Sequence, residues 1–385
     1  LSAARLFETM NSVEDPSWKL ALISSGGGYT TRGVEIWMDE LAICLPQNLA
    51  VELWTGGPPP SVPRPARRIR SFNRDHPWLA GRSWSQRYVW EQLSMLPLLI
   101  LALRWQGIRV AYSGDPVVAW QLKRFQRLHG AAVVFMNGMR LSHQWARHFD
   151  GVHLLAQPYL DEALQEVPAA DVPRFFSVPH FVDITRFQPP TAVARAAARL
   201  ELGLPADAFV VLTVGPVGTV SGKRLEHLAR EVAACPQAIL LHAGGGEEGE
   251  AQTRREVQEA LGARAHLLGR VSHEKISQLY HAADVYALAT LAEPFSIAIL
   301  EAMATGLPIV HHTDYVRVWQ TGAGGRAVSM EEPGAAAQLF RELAAAPDQR
   351  AALGRLARQV AESRYAPGPV CAELVAALKQ VRRRP

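Results

Sequence analysis

Short apolar runs alternate along the chain with longer stretches whose apolar positions recur at helical spacing. Residues 20–23 read as a buried strand that runs into Ser24-Ser25-Gly26-Gly27-Gly28. A helix over about 33–45 follows, then strands around 51–53, 108–112, 131–136 and 152–156. The periodicity breaks at 178–183 and again at 187–190, which marks a linker. It then resumes with a strand at 209–214, a helix over 221–234 and a strand at 238–242 that ends in Gly244-Gly245-Gly246. Strands at 265–268, 285–288 and 308–310 come next, and an Ala- and Leu-rich helical remainder from Gly334. Apolar strands alternating with helices form parallel sheets covered on both faces. The pattern therefore predicts an α/β chain of two Rossmann-like units with a ligand cleft between them.

Composition adds bounds. A chain of 385 residues suits two domains, and 48% hydrophobic with 20% charged residues excludes a disordered chain. The net charge is +4, and only five of the forty basic residues are lysines. Seven arginines and one aspartate fall between Arg64 and Trp90, so the rest of the chain is slightly acidic. Cys44, Cys235 and Cys371 are scattered and form no C-x-x-C pair, which argues against a zinc site or a disulfide framework. The longest apolar run, 93–103, is interrupted by Ser94 and Pro97 and is too short to span a bilayer. The first 18 residues carry Glu8, Glu14 and Asp15 and do not read as a secretory signal. The expectation is a soluble, cytoplasmic protein.

Three familiar signatures fail on inspection. Gly26 and Gly28 begin a dinucleotide fingerprint whose third glycine is replaced by Thr31. The stretch from Gly218 to Lys223 has one residue too few for a P-loop, and Arg224 stands where Ser or Thr would bind magnesium. His273-Glu274 lacks the second histidine of a zincin. No metal site is expected.

The richest stretch runs from Glu293 to Pro308. Pro294 suits a helix first turn, so a helix is expected from about Phe295, its free amides facing an anion at the sheet's carboxyl edge. Within one helix Glu293 and Glu301 would stand ~12 Å apart, too far to share a metal. They could hydrogen-bond hydroxyls at the two ends of a nucleotide sugar; the plainer alternative is a helix cap and an exposed or salt-bridged Glu301.

This segment resembles the Glu–seven residues–Glu motif of retaining glycosyltransferases of the GT-B fold, family four. Arg32-Gly33-Val34-Glu35, Val178-Pro179-His180-Phe181-Val182-Asp183, Thr213-Val214-Gly215 with Lys223-Arg224, and Leu268-Gly269-Arg270-Val271 resemble further motifs of that family in the same order. The resemblance implies two Rossmann-like domains, 1–183 and 184–367, with a final helix over 368–385 crossing back to the first. It implies transfer of a sugar from a nucleotide-diphosphate sugar co-substrate with retained configuration, no required metal or other cofactor, and domain closure over the donor. By the same pattern Lys223 and the amides of Phe295, Ser296 and Ile297, with those near Gly28, would serve the diphosphate. Glu293 would contact the donor sugar, Glu301 the ribose, and Gly269, Arg270 and Val271 the base.

Pro216 replaces a common arginine, so Arg224 or Arg270 is expected to take over phosphate charge. Asn137 stands where the family commonly has histidine; it can hydrogen-bond a sugar but cannot act as a general base. A GT-B phosphorylase or epimerase, or a nucleotide-sugar binding protein with weak catalysis, are the alternative readings.

In such enzymes the first domain holds the acceptor. Nine of ten tryptophans precede Gln157, and Trp78 and Trp84 lie among Arg67, Arg68, Arg70 and their neighbours. Aromatic faces pack on sugars and arginines pair with phosphates. An anionic or lipid-linked acceptor, and contact with a membrane surface, are expected there; the plainer alternative is a solvated basic loop. Nucleic-acid binding is not expected, since no recognition motif accompanies the charge.

Overall fold

The computed structural model describes residues 18–30, 33–219, 222–272 and 275–382. Glu8, Glu14, Asp15, Thr31, Arg32, Val220, Ser221, His273 and Glu274 lie outside the described residues. The described chain divides into two compact units. One holds the residues up to Pro179 and those from Cys371 onward, the other His180–Val370.

The first unit is a seven-stranded parallel sheet of β1 (Lys19–Ser24), β2 (Ala50–Thr55), β3 (Ala66–Arg68), β4 (Val110–Ser113), β5 (Ala132–Met136), β6 (Gly151–Leu154) and β7 (Phe175–Ser177). Their spatial order is β3-β2-β1-β4-β5-β6-β7. Leu20, Leu22, Val110 and Val134 of the central strands are wholly buried, as parallel strands covered on both faces require. Helix α1 (Gly33–Cys44) follows β1, and α2 (Trp84–Trp105) precedes β4. Ser83 and Gln86 form a capping box that starts α2.

The second unit is a six-stranded parallel sheet of β8 (Phe209–Val214), β9 (Ala238–Ala243), β10 (Ala265–Leu267), β11 (Val285–Leu288), β12 (Ile309–His312) and β13 (Gly325–Val328), ordered β10-β9-β8-β11-β12-β13. Helix α3 (Ala192–Glu201) is tied to this sheet by Asp284, which pairs with Arg195 and Arg199 at 2.7 Å each and accepts the amide of Val210 at 2.8 Å. Helices α4 (Leu225–Ala233), α5 (Ile297–Ala304) and α6 (Tyr315–Thr321) flank the strands that matter below. The last helix, α7 (Pro367–Arg382), contributes its residues from Cys371 to the first unit. Arg383, expected within it, lies outside the described residues.

Both sheets reverse direction beside their first strand, between β1 and β4 and between β8 and β11. Such a reversal of strand order is where a ligand can bind at the carboxyl edge. Three edge strands, β3, β7 and β13, were not anticipated; each has only three or four residues, and Arg67 and Arg68 give β3 no apolar run to read.

Two helix starts are corrected. Helix α4 begins at Leu225 rather than 221, because Arg224 adopts a left-handed backbone (φ 52°) that a right-handed helix cannot include. Helix α5 begins at Ile297 rather than Phe295, because Ser296 is extended (φ −112°, ψ 111°). Glu293 therefore lies outside the helix, and the single-helix spacing to Glu301 does not apply.

Candidate functional site

The second unit's switch point joins two loops far apart in sequence. Lys223, in the loop after β8, and Glu293, in the loop after β11, form an ion pair: Nζ donates to the two carboxylate oxygens at 2.8 and 2.7 Å. Both side chains are mostly buried, so the pair is only partly screened by water. Beside it, Gly215, Gly244 and Gly269 follow β8, β9 and β10. Gly244 donates to the Gly269 carbonyl at 2.7 Å, and its own backbone (φ 138°) presses on Gly215, where a Cβ would overlap the carbonyl oxygen.

The Glu293 loop is held from behind by α6, which the sequence reading missed. Arg317 donates to the Glu293 carbonyl at 2.7 Å, and Gln320 donates to the Ser296 carbonyl at 2.8 Å. Both side chains are essentially buried. Phe295 packs against His180 and Tyr365, with ring centroids 5.4 and 6.3 Å away. The Ser296 side chain makes no capping bond, so the first-turn amides of α5 have no partner from it. Ile297, which opens the helix, is half-buried.

Glu301 sits one turn into α5 and accepts a 2.5 Å hydrogen bond from the Tyr280 hydroxyl. Burial pushes its carboxyl up to about 7, against the opposing pull of that hydrogen bond and of Arg186. Glu301 is thus poised between acid and carboxylate near neutrality. Tyr280 stands in the stretch 279–285 that resembles the family's run-up to the Glu motif, but it was not among the expected site residues.

Two expected phosphate ligands fare differently. Arg224 is turned to structural duty: its Nη1 donates to the Met330 carbonyl at 2.7 Å and reaches that of Ala289 at 3.4 Å. Arg270 remains exposed, with Val271 half-buried beside it. Among the described residues there is no cluster of three or more His, Cys, Asp or Glu able to hold a metal ion.

In the first unit, Gly28 (φ 77°) forms a tight turn against Pro58, whose carbonyl a Cβ would strike. Asn137 is buried and braces its own loop: its Nδ2 donates to the Leu141 carbonyl and its Oδ1 accepts the Leu141 amide, both at 2.7 Å. One hydrogen of its Nδ2 and one lone pair of its Oδ1 are used in this way. The basic segment also resolves into distinct jobs. Arg64 donates to carbonyls at and beyond the end of α1, including Ala42, Leu45 and Pro46. Arg74 is buried, paired with Glu91 at 2.6 Å. Arg67 pairs with Glu52 at 2.7 Å and Arg68 reaches the Tyr29 hydroxyl at 3.2 Å, while Arg70 and Trp78 are exposed and Trp84 stacks on Tyr88.

The chain's similarities agree with this geometry. Residues 208–346 match the family model described as "Glycosyl transferases group 1". D-inositol 3-phosphate glycosyltransferase of Xylanimonas cellulosilytica is 35% identical over 163 residues, 39% of this chain and 37% of that protein. The same enzyme of Streptomyces scabiei is 30% identical over 197 residues, 47% of this chain and 43% of that protein. The matched stretch thus spans less than half of either relative. In three dimensions, sucrose-phosphate synthase of Thermosynechococcus elongatus superposes with a TM-score of 0.77 at 20% identity, over 94% of this chain and 99% of that one. HepE of Anabaena, solved with UDP and glucose, gives 0.75 at 16% identity over 94% and 100%. The architecture is that of the GT-B glycosyltransferases. Within it, residues 208–346 of the second unit are similar to the glycosyl transferases group 1 family.

Proposed function

We propose that the chain is a retaining, metal-independent glycosyltransferase of family four, acting in the cytoplasm, that moves a hexosyl group from a nucleotide-diphosphate sugar to an acceptor hydroxyl. The observation that carries this reading is the Lys223–Glu293 pair at the second switch point. A leaving diphosphate gathers negative charge in the transition state, and a half-buried ammonium meets it without reorganising solvent. The first-turn amides of α5 add positive potential of the same kind. Glu293 contacts the transferred sugar, Glu301 accepts hydrogen bonds from the ribose, and the backbone of Gly269, Arg270 and Val271 lies along the base. The bond from the anomeric carbon to the diphosphate oxygen breaks, and its electron pair leaves with the phosphate. The acceptor oxygen bonds to that carbon on the same face and gives its proton to the departing phosphate oxygen. No enzyme nucleophile is assigned. Solved HepE complexes with UDP and UDP-glucose support a uridine nucleotide as the first donor to try.

The test is a panel of uridine and guanosine diphosphate sugars, scored for binding and slow hydrolysis, then for transfer with a crude acceptor pool. One donor should turn over, and Lys223→Ala should lower its turnover by about 100-fold or more with the fold retained, the size seen when a charge-stabilising donor is removed. Release of sugar 1-phosphate from a glycoside and phosphate would support the phosphorylase reading instead. Near-native transfer by Lys223→Ala would sink the site assignment.

A further inference from the structure

Helix α2 buries one face and presents the other to solvent. On the open face Trp90, Pro97, Leu101 and Trp105 follow one another seven, four and four residues apart, a single helical stripe. Trp105 is 83% exposed and Leu101 54%. Exposed apolar residues are ordinary when scattered, but these are joined by neighbours. The amide of exposed Phe72 donates to Ser94 of α2 at 2.8 Å, which lays Phe72 against the helix. Ring contacts then run from Phe72 to His76 and on to Trp78, itself 82% exposed.

The charge around this stripe has one sign. Arg82 stands 5.3 Å over the ring of Trp90, Arg104 is exposed in the last turn of α2, and Arg67 reaches the Gln106 side chain at 3.3 Å just past its end. The single acid of α2, Glu91, is fully buried against Arg74. Across residues 64–107 that leaves Asp75 as the one exposed carboxylate.

We propose that this face rests on an anionic lipid bilayer, with Trp78, Trp90 and Trp105 at headgroup depth and the arginines against lipid phosphates. Indoles with arginines on a helix that lies in the plane of the interface are the chemistry that recognises such a surface. A second copy of the chain fits worse, because a two-fold contact would set arginines against arginines with almost no acid to answer them. The helix does not cross the bilayer: among the described residues, none is long and apolar enough. The proposal rests on this surface alone and is independent of the reaction assigned above.

Flotation of the whole chain with phosphatidylcholine vesicles containing about 30% phosphatidylglycerol, at low and high salt, tests it. Binding should require the anionic lipid and weaken with salt. The double variant Leu101→Ser/Trp105→Ser, altered only at exposed positions, should partition at least about tenfold less. Leu200→Ser, which removes a side chain of an 83% exposed residue on α3, should bind as wild type does. Three results would overturn the proposal: no binding, equal binding to neutral vesicles or by the double variant, or light scattering that shows a dimer which the double variant splits.

Discussion

Glu301 is the residue whose chemistry is most sensitive to its surroundings. Its carboxyl is pushed up to about 7 chiefly by burial, well above an exposed glutamate near 4.3. The folded chain therefore holds a proton that the unfolded chain has already released across that interval. The sign follows from linkage: stability is highest below about 4.3 and is lost as pH rises toward about 7, where burying the charge costs the fold. Glu301→Gln, neutral at every pH, should remove up to about 1.4 kcal/mol per pH unit of that slope. Glu35 is also pushed up to about 7, so the informative quantity is the difference between wild type and variant. Urea unfolding between pH ~5 and ~8 measures it, and parallel stability curves would exclude a buried, proton-holding Glu301. Under the proposed contact of Glu301 with the ribose, binding has the opposite sign, since an ionised carboxylate accepts both hydroxyls. Nucleotide affinity should rise over about pH 6 to 8 in wild type and stay flat in the variant.

At the scale of elements, α6 determines where the Glu293 loop can be. Its start is fixed by Asp314, whose Oδ1 accepts the amides of Val316 and Arg317 at 2.9 and 3.1 Å. Arg317 and Gln320, three residues apart on one helical face, then clamp the carbonyls of Glu293 and Ser296. Gln320→Leu, close in volume, strands the Ser296 carbonyl without its donor, a cost of about 1–3 kcal/mol. Thermal unfolding should shift down accordingly, and turnover should fall more than nucleotide affinity, because the loop loses position rather than charge. Unchanged turnover would show that the loop does not need the clamp. None of this was legible beforehand. Lys223 and Glu293 could be singled out by type and by the motif around each, but their pairing joins positions 70 residues apart. Arg317 and Gln320 belong to no recognisable pattern, since a side chain that holds a carbonyl can be any donor of the right length. The central strands were legible because four or five consecutive apolar residues admit few other fates, whereas β3 is arginine-rich and owes its existence to pairing with β2. Likewise the sequence shows seven arginines in a row of segments but not that Arg64 and Arg74 are spent inside the fold.

Both units repeat one strand order, with different charged groups at the switch point. In each unit the first strand ends beside the strand on the far side of the switch point. In the first unit that place holds buried acids. Asp115 accepts the Ser25 amide at 2.6 Å, and the buried Arg74 pairs with buried Glu91 at 2.6 Å and Glu35 at 3.9 Å. Burial raises the carboxyls of Glu35, to about 7, and of Asp115. In the second unit the matching place carries Lys223, paired with Glu293, and a helix start. A diphosphate would meet buried carboxyls at the first place, and an ammonium with helix first-turn amides at the second. Nucleotide diphosphate alone should therefore bind through residues of the second unit. At about 100 times its dissociation constant, UDP or the preferred nucleotide should stabilise that unit by about 2.7 kcal/mol. Amides of β8, β9 and β11 that exchange only on its unfolding should then slow by about 100-fold, while those of β1 and β4 keep their rates. Hydrogen exchange read by mass spectrometry distinguishes the two sheets peptide by peptide. Protection of equal size in β1 and β4 would mean that charge at the switch points does not decide where the nucleotide binds.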